Sequence, residues 1–270
     1  MLLLLFIAAA LFYGAATFAY GAEAGEPREP GRDGPSVMRR RARPLLSIAA
    51  LLHTALIGLQ CVDGDHPLKN IYLATSFGAL VAALGYLALS RGRPLDALGA
   101  VMAPVGLCGL ALGMAFSSVS GATLPTGGGI ASAHVAFASG GLAGFTLAAA
   151  VAGLYLVTER RLRRKQFRAM QGTMSLTGLD RLHHRLVLLV TPVFTLAIVT
   201  GVLWILQGGG PHMLQGRVFE IVAAFVAWLA SIALLVMRAA WGSRGRSSAW
   251  LTIAAFIAVV LIVVSYGVRG

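Results

Sequence analysis

Six histidines are the side chains of this chain best suited to chemistry, because a neutral imidazole nitrogen binds metal ions and exchanges protons near neutral pH. They stand at positions 53, 66, 134, 183, 184 and 212. The two cysteines, Cys61 and Cys108, are far apart and form no Cys-x-x-Cys motif, so a thiol–disulfide relay lacks its usual signature. No combination of nucleophile, base and acid accompanies the histidines. We therefore expect a binding or transport function rather than an enzyme.

Eight apolar stretches determine the depth at which each histidine lies. Hydrophobic residues make up 57% of the chain and charged residues 12%, about half the charged fraction of a soluble domain. A helix that crosses a hydrocarbon layer of roughly 30 Å needs about 20 apolar residues. The sequence predicts an all-α, polytopic membrane protein with eight transmembrane helices at 1–20, 44–62, 71–90, 96–117, 133–157, 186–206, 218–237 and 249–267.

The basic residues predict the orientation of these helices. Of the 22 Lys and Arg residues, 19 lie in the first, third, fifth and seventh connectors. Positively charged loops stay in the cytoplasm, so we expect a bacterial inner membrane protein with both termini on the outer side. The net charge of +12 then follows from topology and from attraction to anionic lipid headgroups. Membrane lipid is an expected partner, and nucleic acid is not.

The first apolar stretch resembles a signal peptide in length but has no positively charged start. Its removal would also invert the orientation of every later connector. We therefore expect it to remain as a membrane helix. The predicted domains are 1–43, the first transmembrane helix with a flexible basic cytoplasmic linker rich in Pro and Gly, and 44–270, a seven-helix membrane domain.

Two histidines are candidate ligands on the outward half of the membrane. His53 lies in the middle of the second span, about nine residues or roughly 13 Å below its outer end, and His134 opens the fifth span at the outer surface. Ala138 and Gly141 follow His134 on one helical stripe and leave a flat face on which a planar macrocycle could lie. Axial histidine is a common ligand of haem iron. His134 and His53 are therefore candidate ligands of a metal ion or of haem iron.

Other interpretations of the same residues remain open. Small residues near His134 are also what membrane helices use to pack closely. His53 shares a stripe with Gln60, and a hydrogen bond between helices would satisfy its ring. His183 and His184, beside two arginines, are predicted to belong to a solvated basic face, and His66 and His212 to be ordinary loop residues. No span carries Lys, Arg, Asp or Glu near its centre, which disfavours a proton-coupled transporter.

Four pairs of short motifs resemble the cytochrome c assembly family of membrane proteins, of the CcsA, CcmC and HemX type. In chain order they are Leu52–Ala55 with His66–Asn70, His134–Val135 with Leu154–Arg160, Leu179–Leu182 with Thr200–Trp204, and Trp241–Arg246 with Ser265–Val268. The resemblance extends from about residue 45 to the end of the chain. It implies a haem-handling membrane protein that works with other cytochrome c assembly components and binds non-covalent, b-type haem. His134 would be the external axial ligand and His53 a buried one, and Arg217 or Lys69 would pair with the propionates.

The chain also departs from the family pattern. The stretch 205–217 has no Trp or Asp where the family carries a tryptophan-rich signature, and 235–238 lacks the histidine expected late in span seven. The shorter HemX/YpjD-like members are the closer comparison. Two alternatives follow: a structural or regulatory membrane subunit that keeps the fold without haem, and a b-type electron-transfer cytochrome. The second alternative would require paired histidines at matching depth, and no convincing pair is present.

Overall fold

The computed structural model describes residues 1–25, 37–117, 128–166, 174–207, 216–242 and 245–269. Within these ranges the regular structure is helical, and each α-helix is long and apolar enough to cross a membrane. This confirms the predicted all-α fold with eight membrane-spanning helices. A short 3-10 helix lies at Pro67–Lys69, and the α-helices are α1 (Leu2–Gly25), α2 (Val37–Val62), α3 (Ile71–Leu89), α4 (Asp96–Phe116), α5 (Gly129–Arg163), α6 (Leu176–Gln207), α7 (Val218–Trp241) and α8 (Arg246–Arg269).

Most of the helices are longer than the predicted spans, and α5 and α6 exceed them most. α5 contains 35 residues, about 52 Å at 1.5 Å per residue, and α6 begins at Leu176 rather than at the predicted residue 186. Both extensions lie where the arginine-rich connectors join the bundle, which we call the basic end; we call the opposite end the His134 end. The predicted spans stop where charge begins, but Arg, Glu and Leu are good helix formers and the backbone hydrogen bonds continue past the hydrocarbon layer.

The predicted linker between the first two helices is partly helical. α1 continues to Gly25 and α2 begins at Val37, so both ends of the predicted segment 21–43 are helical, and residues 26–36 lie outside the described part of the chain. The proposed domain boundary at residue 43 falls within α2. Arg43 there donates from its guanidinium to the carbonyl oxygens of Leu87 (3.2 Å) and Ser90 (3.2 Å), which ties α2 to the last turn of α3. The division into two domains remains a prediction.

Small residues on α4 allow α1 to pack closely against it. The rings of Tyr13 and Tyr20 on α1 lie against Gly106 and Gly99 on α4, and a methyl group at either glycine would overlap the ring. Tyr20 also shares a 3.1 Å hydrogen bond between hydroxyls with Tyr86 of α3. Close helix contact at small residues is the usual way membrane helices gain packing energy. α1 is therefore an integral part of the helical core.

The long helix α5 occupies the middle of the bundle and contacts α3, α6 and α8. Its Phe145 packs edge-on against Phe194 of α6, with ring centroids 5.1 Å apart. Ala227 of α7 and Val259 of α8 complete this second buried cluster. α5 therefore packs against α6 and α8 about three turns along the helix from His134.

Asn70 fixes the start of α3 at the His134 end. Its side-chain oxygen accepts hydrogen bonds from the backbone amides of Tyr72 (2.8 Å) and Leu73 (3.3 Å), which makes it the N-cap residue. Its side-chain amide donates to the carbonyl of Ser117, the C-cap residue of α4, at 2.8 Å. One buried side chain thus satisfies the ends of two helices, since the first amides and last carbonyls of a helix lack internal partners. This gives a physical role to the last residue of the His66–Asn70 motif.

We expect Asn70→Ala to lower the free energy of unfolding by about 2 kcal/mol, because the variant loses an N-cap and leaves the Ser117 carbonyl without its donor. Denaturant titration in detergent micelles, followed by circular dichroism, measures this change. His66→Ala is the matched control, since His66 also accepts a backbone hydrogen bond but lies exposed in the same loop. It should cost no more than about 0.5 kcal/mol. Equal losses for the two variants would contradict the role assigned to Asn70.

Candidate functional site

His134 is held in one orientation by the neighbouring helix. Its Nδ1 donates a hydrogen bond to the carbonyl oxygen of Ala197 on α6 at 2.8 Å. A carbonyl only accepts, so the proton of the neutral ring is on Nδ1 and Nε2 carries a lone pair. Within the described part of the chain Nε2 has no hydrogen-bond partner. Every fully buried side-chain nitrogen or oxygen there does have a partner, so Nε2 is not fully buried. Nε2 is therefore accessible for binding.

Two residues of α6 shape the surroundings of this ring. Gly201 leaves room for it, because a Cβ at that position would approach the Nδ1 and Cε1 atoms of His134 to 2.9 Å. Trp204 lies beside it with ring centroids 5.7 Å apart. α5 begins at Gly129, so His134 lies in the second turn rather than at the helix end as predicted. The extra turn places the imidazole inside the bundle.

A cavity of about 490 Å³ adjoins His134 between the helices of the His134 end. This volume is within the range of small-molecule and cofactor sites. Its lining is mostly apolar and comes from α3, α5, α6, α7 and α8, including Ile71, Ala74, Leu142, Phe194, Ile198, Phe225, Val259 and Ile262. Ala138 lines the cavity as the predicted flat face requires, whereas Gly141 packs against Phe194. The flat face next to His134 therefore extends for only one turn of α5.

Charged and hydroxyl groups lie together in one part of this cavity. Arg217 precedes α7 and donates from Nη1 to the hydroxyl of Tyr266 at 2.9 Å, and its guanidinium carbon lies 5.1 Å from the centre of the same ring. Glu220 is 5% exposed and accepts a hydrogen bond from the hydroxyl of Ser265 at 3.0 Å. Two contacts to one tyrosine hold the guanidinium in place. The cavity therefore combines an imidazole, an apolar wall, an oriented cation and a buried carboxylate.

The structure does not bring His53 into this cavity. His53 is fully buried among α1, α2 and α3, with Nδ1 3.3 Å from the hydroxyl of Tyr13 and Nε2 2.9 Å from the hydroxyl of Ser76. The Tyr13 ring stands edge-on to the imidazole, with centroids 5.9 Å apart. Both ring nitrogens are engaged, so iron ligation would require the loss of one hydrogen bond. The geometry favours the bond between helices, although the partners differ from the Gln60 considered from sequence. The ligand role of His53 remains a prediction.

The other histidines that the structure describes do not line the cavity. The prediction that His183 belongs to a solvated face is wrong: it is 5% exposed and its Nε2 lies 2.8 Å from the hydroxyl of Thr252 on α8. Because α6 is already helical at this point, His183 faces α8. His184, the next residue, is half-buried. His66 is exposed in its loop as predicted. His212 lies outside the described residues.

The sequence predicts His134, Ala138 and Arg217 at this site, but it does not predict three of the polar or aromatic side chains that line the cavity with them. Trp204, Glu220 and Tyr266 line it from α6, α7 and α8. A signal for them was available, because all three lie in a first or last helical turn at the end where His134 lies. The second predicted propionate partner, Lys69, is in the short 3-10 helix and is not among the residues lining the cavity.

Comparison with known proteins identifies the family. A family model described as "Cytochrome C assembly protein" matches residues 68–269, which include the whole cavity. His53 and the Leu52–Ala55 motif precede the matched range, so the match begins later than the resemblance predicted. No curated protein and no solved structure gives a significant match. The matched range covers well over half of the sequence, and this multi-pass membrane protein therefore belongs to the cytochrome c assembly protein family and has a role in cytochrome c biogenesis.

Proposed function

We propose that this protein holds non-covalent, b-type haem in the His134 cavity and passes it on during cytochrome c biogenesis, as a carrier rather than an enzyme. His134 would hold the haem iron through its imidazole. The His134 end faces outward from a bacterial inner membrane, as the distribution of basic residues predicts. Other components of cytochrome c assembly are the expected partners for transfer.

The orientation of His134 is the observation that carries this proposal. Histidines that bind a metal usually donate their second ring N–H to a carbonyl or carboxylate, which fixes the tautomer and makes the ligating nitrogen more basic. Here the Ala197 carbonyl accepts a hydrogen bond from Nδ1–H at 2.8 Å, which leaves the Nε2 lone pair available. This Nε2 atom is therefore suited to bind haem iron, which accepts a neutral imidazole as a ligand.

The rest of the cavity fits the other parts of the haem molecule. Its apolar walls would bury the hydrophobic macrocycle, and the ring of Trp204 beside His134 offers a flat aromatic surface. Arg217, held by Tyr266, presents a cation to a carboxylate, and arginine pairs with carboxylates through two parallel hydrogen bonds. The bound haem would supply the iron, and the chain's own groups would bind it, orient it and keep it from water.

Titration of the purified apoprotein with haemin in lipid nanodiscs tests this function. We expect a Soret band that saturates at one haem per chain, and acid–acetone extraction that removes all of the pigment, as for non-covalent haem. Empty nanodiscs measure the background partition into lipid. A protein that adds nothing to this background would contradict the proposal and favour the structural or regulatory subunit.

We expect Tyr266→Phe to weaken haem binding about fivefold, because the variant loses the hydrogen bond that positions the Arg217 guanidinium, worth about 1 kcal/mol. The dissociation constant from the same titration measures the effect. The Soret position should stay unchanged, since the iron ligand is intact. Tyr155→Phe is the matched control, because Tyr155 lies toward the basic end of α5, and it should bind haem like the wild type. A Tyr266→Phe variant with unchanged affinity would contradict the role given to Arg217.

A further inference from the structure

A second concave site lies at the basic end, between α5 and α8. We call it the α5–α8 groove; it has a volume of about 460 Å³, and its lining includes Gly153, Leu156, Arg160 and Arg163 of α5 with Arg246 and Trp250 of α8. It is separate from the His134 cavity, with which it shares no lining residue. Its composition is unusual for a surface between membrane helices, because three arginines face the same depression.

The charge in this groove is only partly compensated. Arg163 donates to the carboxylate of Glu159 from Nε (3.0 Å) and from Nη2 (2.7 Å), so this pair is neutral. Arg160 and Arg246 form no ion pair within the described part of the chain. Two guanidinium groups on neighbouring helices therefore leave an excess of positive charge at one edge of the groove. Such a site favours a ligand with a negatively charged oxygen group.

The opposite edge of the groove is apolar. Gly153 is seven residues before Arg160, about 10 Å along the helix, and Leu156 lies between them on the same face. A Cβ at Gly153 would meet no atom within 4 Å, so space is open at this position. On α8, Trp250 is one turn from Arg246 and is 55% exposed. Tryptophan at this depth is typical of the boundary between headgroups and acyl chains.

We propose that the α5–α8 groove is a binding site for one anionic phospholipid. Its phosphate lies between Arg160 and Arg246, and an acyl chain follows Leu156 and Trp250 toward Gly153. The apolar edge favours a lipid over a free inorganic anion, because a small anion would leave that surface uncovered. Basic pockets between membrane helices on the cytoplasmic side are known to take anionic headgroups. A lipid bound there would anchor α8 to α5. The position of Tyr266, which lies on α8, depends on this anchoring.

Quenching of tryptophan fluorescence by brominated lipid tests this site. The protein is reconstituted in phosphatidylcholine vesicles that contain either brominated phosphatidylglycerol or brominated phosphatidylcholine. The fluorescence of Trp250 is obtained as the difference between the wild-type protein and the Trp250→Phe variant. We expect brominated phosphatidylglycerol to be preferred over brominated phosphatidylcholine at Trp250 by about fivefold. No preference at all would overturn the proposal.

Two double arginine variants distinguish binding in the groove from attraction by the general positive charge of the basic end. The double variant Arg160→Ala with Arg246→Ala should reduce the preference to about one, whereas Arg91→Ala with Arg93→Ala, in the connector between α3 and α4, should keep it. Equal losses in both double variants would show that surface potential alone attracts the lipid and would overturn the site. Displacement of the lipid by excess inorganic phosphate would also overturn it, since the groove would then bind a free anion.

Occupation of the acyl-chain edge gives an independent test that leaves every charge in place. The Gly153→Leu side chain fills the open space beside Leu156. The helical content of the variant protein, measured by circular dichroism, shows whether it folds. We expect a correctly folded Gly153→Leu protein to lose most of the quenching of Trp250 by brominated phosphatidylglycerol. Full quenching in that variant would overturn the placement of the acyl chain.

Discussion

His134→Ala is expected to lower the affinity for haem at least about 100-fold, more than the loss of a group that only supports a ligand. His134 is the one imidazole among the described residues that line the cavity, and its Nδ1–H donates a hydrogen bond to the Ala197 carbonyl, which leaves Nε2 in a fixed position. Without it the cavity retains apolar walls and Arg217 but no imidazole ligand. Haemin titration in nanodiscs should give only the broad Soret band of unligated haem.

Added imidazole separates a ligand from a residue that merely supports the fold. The truncated side chain leaves space next to Gly201, and free imidazole should enter it and restore a sharp Soret band to His134→Ala. His66→Ala is the matched control, since His66 lies exposed at the same end of the bundle and outside the cavity. It should bind haem normally. A His134→Ala protein with wild-type affinity would contradict the proposed ligand.

The membrane spans could be predicted from sequence because the bilayer imposes one physical requirement on each of them. Every stretch of about 20 apolar residues became a helix. The helix ends were less accessible to prediction: α5 continues to Arg163 and α6 begins at Leu176, through segments rich in charge. Hydropathy reports where the hydrocarbon layer ends, whereas the backbone hydrogen bonds of a helix depend on local propensity and capping.

The candidate site was predictable only in part, because contacts between residues distant in sequence orient its key side chains. Residue type and position pointed to His134, but the acceptor that orients it is 63 residues away on α6. Arg217 was a candidate from its charge, but Tyr266, which positions it, is 49 residues away on α8. Neither pairing follows from the spacing within one helix. Tertiary packing decides them.

Histidines near the basic end illustrate the same limit. His183 stands between two charged residues and was assigned to a solvated face. In the structure it is buried against Thr252, and Asp180, about one turn earlier on α6, forms a 3.0 Å ion pair with Arg238 of α7. The charges of this segment thus serve contacts between helices as well as topology. A local excess of charge does not show which residue of a helix faces its neighbours.

His53→Ala is expected to lower the free energy of unfolding by about 3 kcal/mol, the second large effect. Truncation of a fully buried side chain to Ala costs about 2–5 kcal/mol, and hydrogen bonds between membrane helices add about 0.6 kcal/mol each. The variant leaves the hydroxyls of Tyr13 and Ser76 without their shared partner among α1, α2 and α3. Denaturant titration in detergent micelles measures the loss.

The haem spectrum of the same variant decides between the two roles considered for His53. The imidazole engages both ring nitrogens in hydrogen bonds and lines no part of the His134 cavity, so His53→Ala should keep the Soret position and the haem stoichiometry of the wild type. His184→Ala is the matched control for stability, because His184 is only half-buried, and it should cost no more than about 0.5 kcal/mol. A stable His53→Ala protein with a shifted or absent Soret band would instead make His53 a haem ligand and refute its role as a link between helices. A large loss of stability with an unchanged spectrum would leave His134 as the histidine that holds the iron.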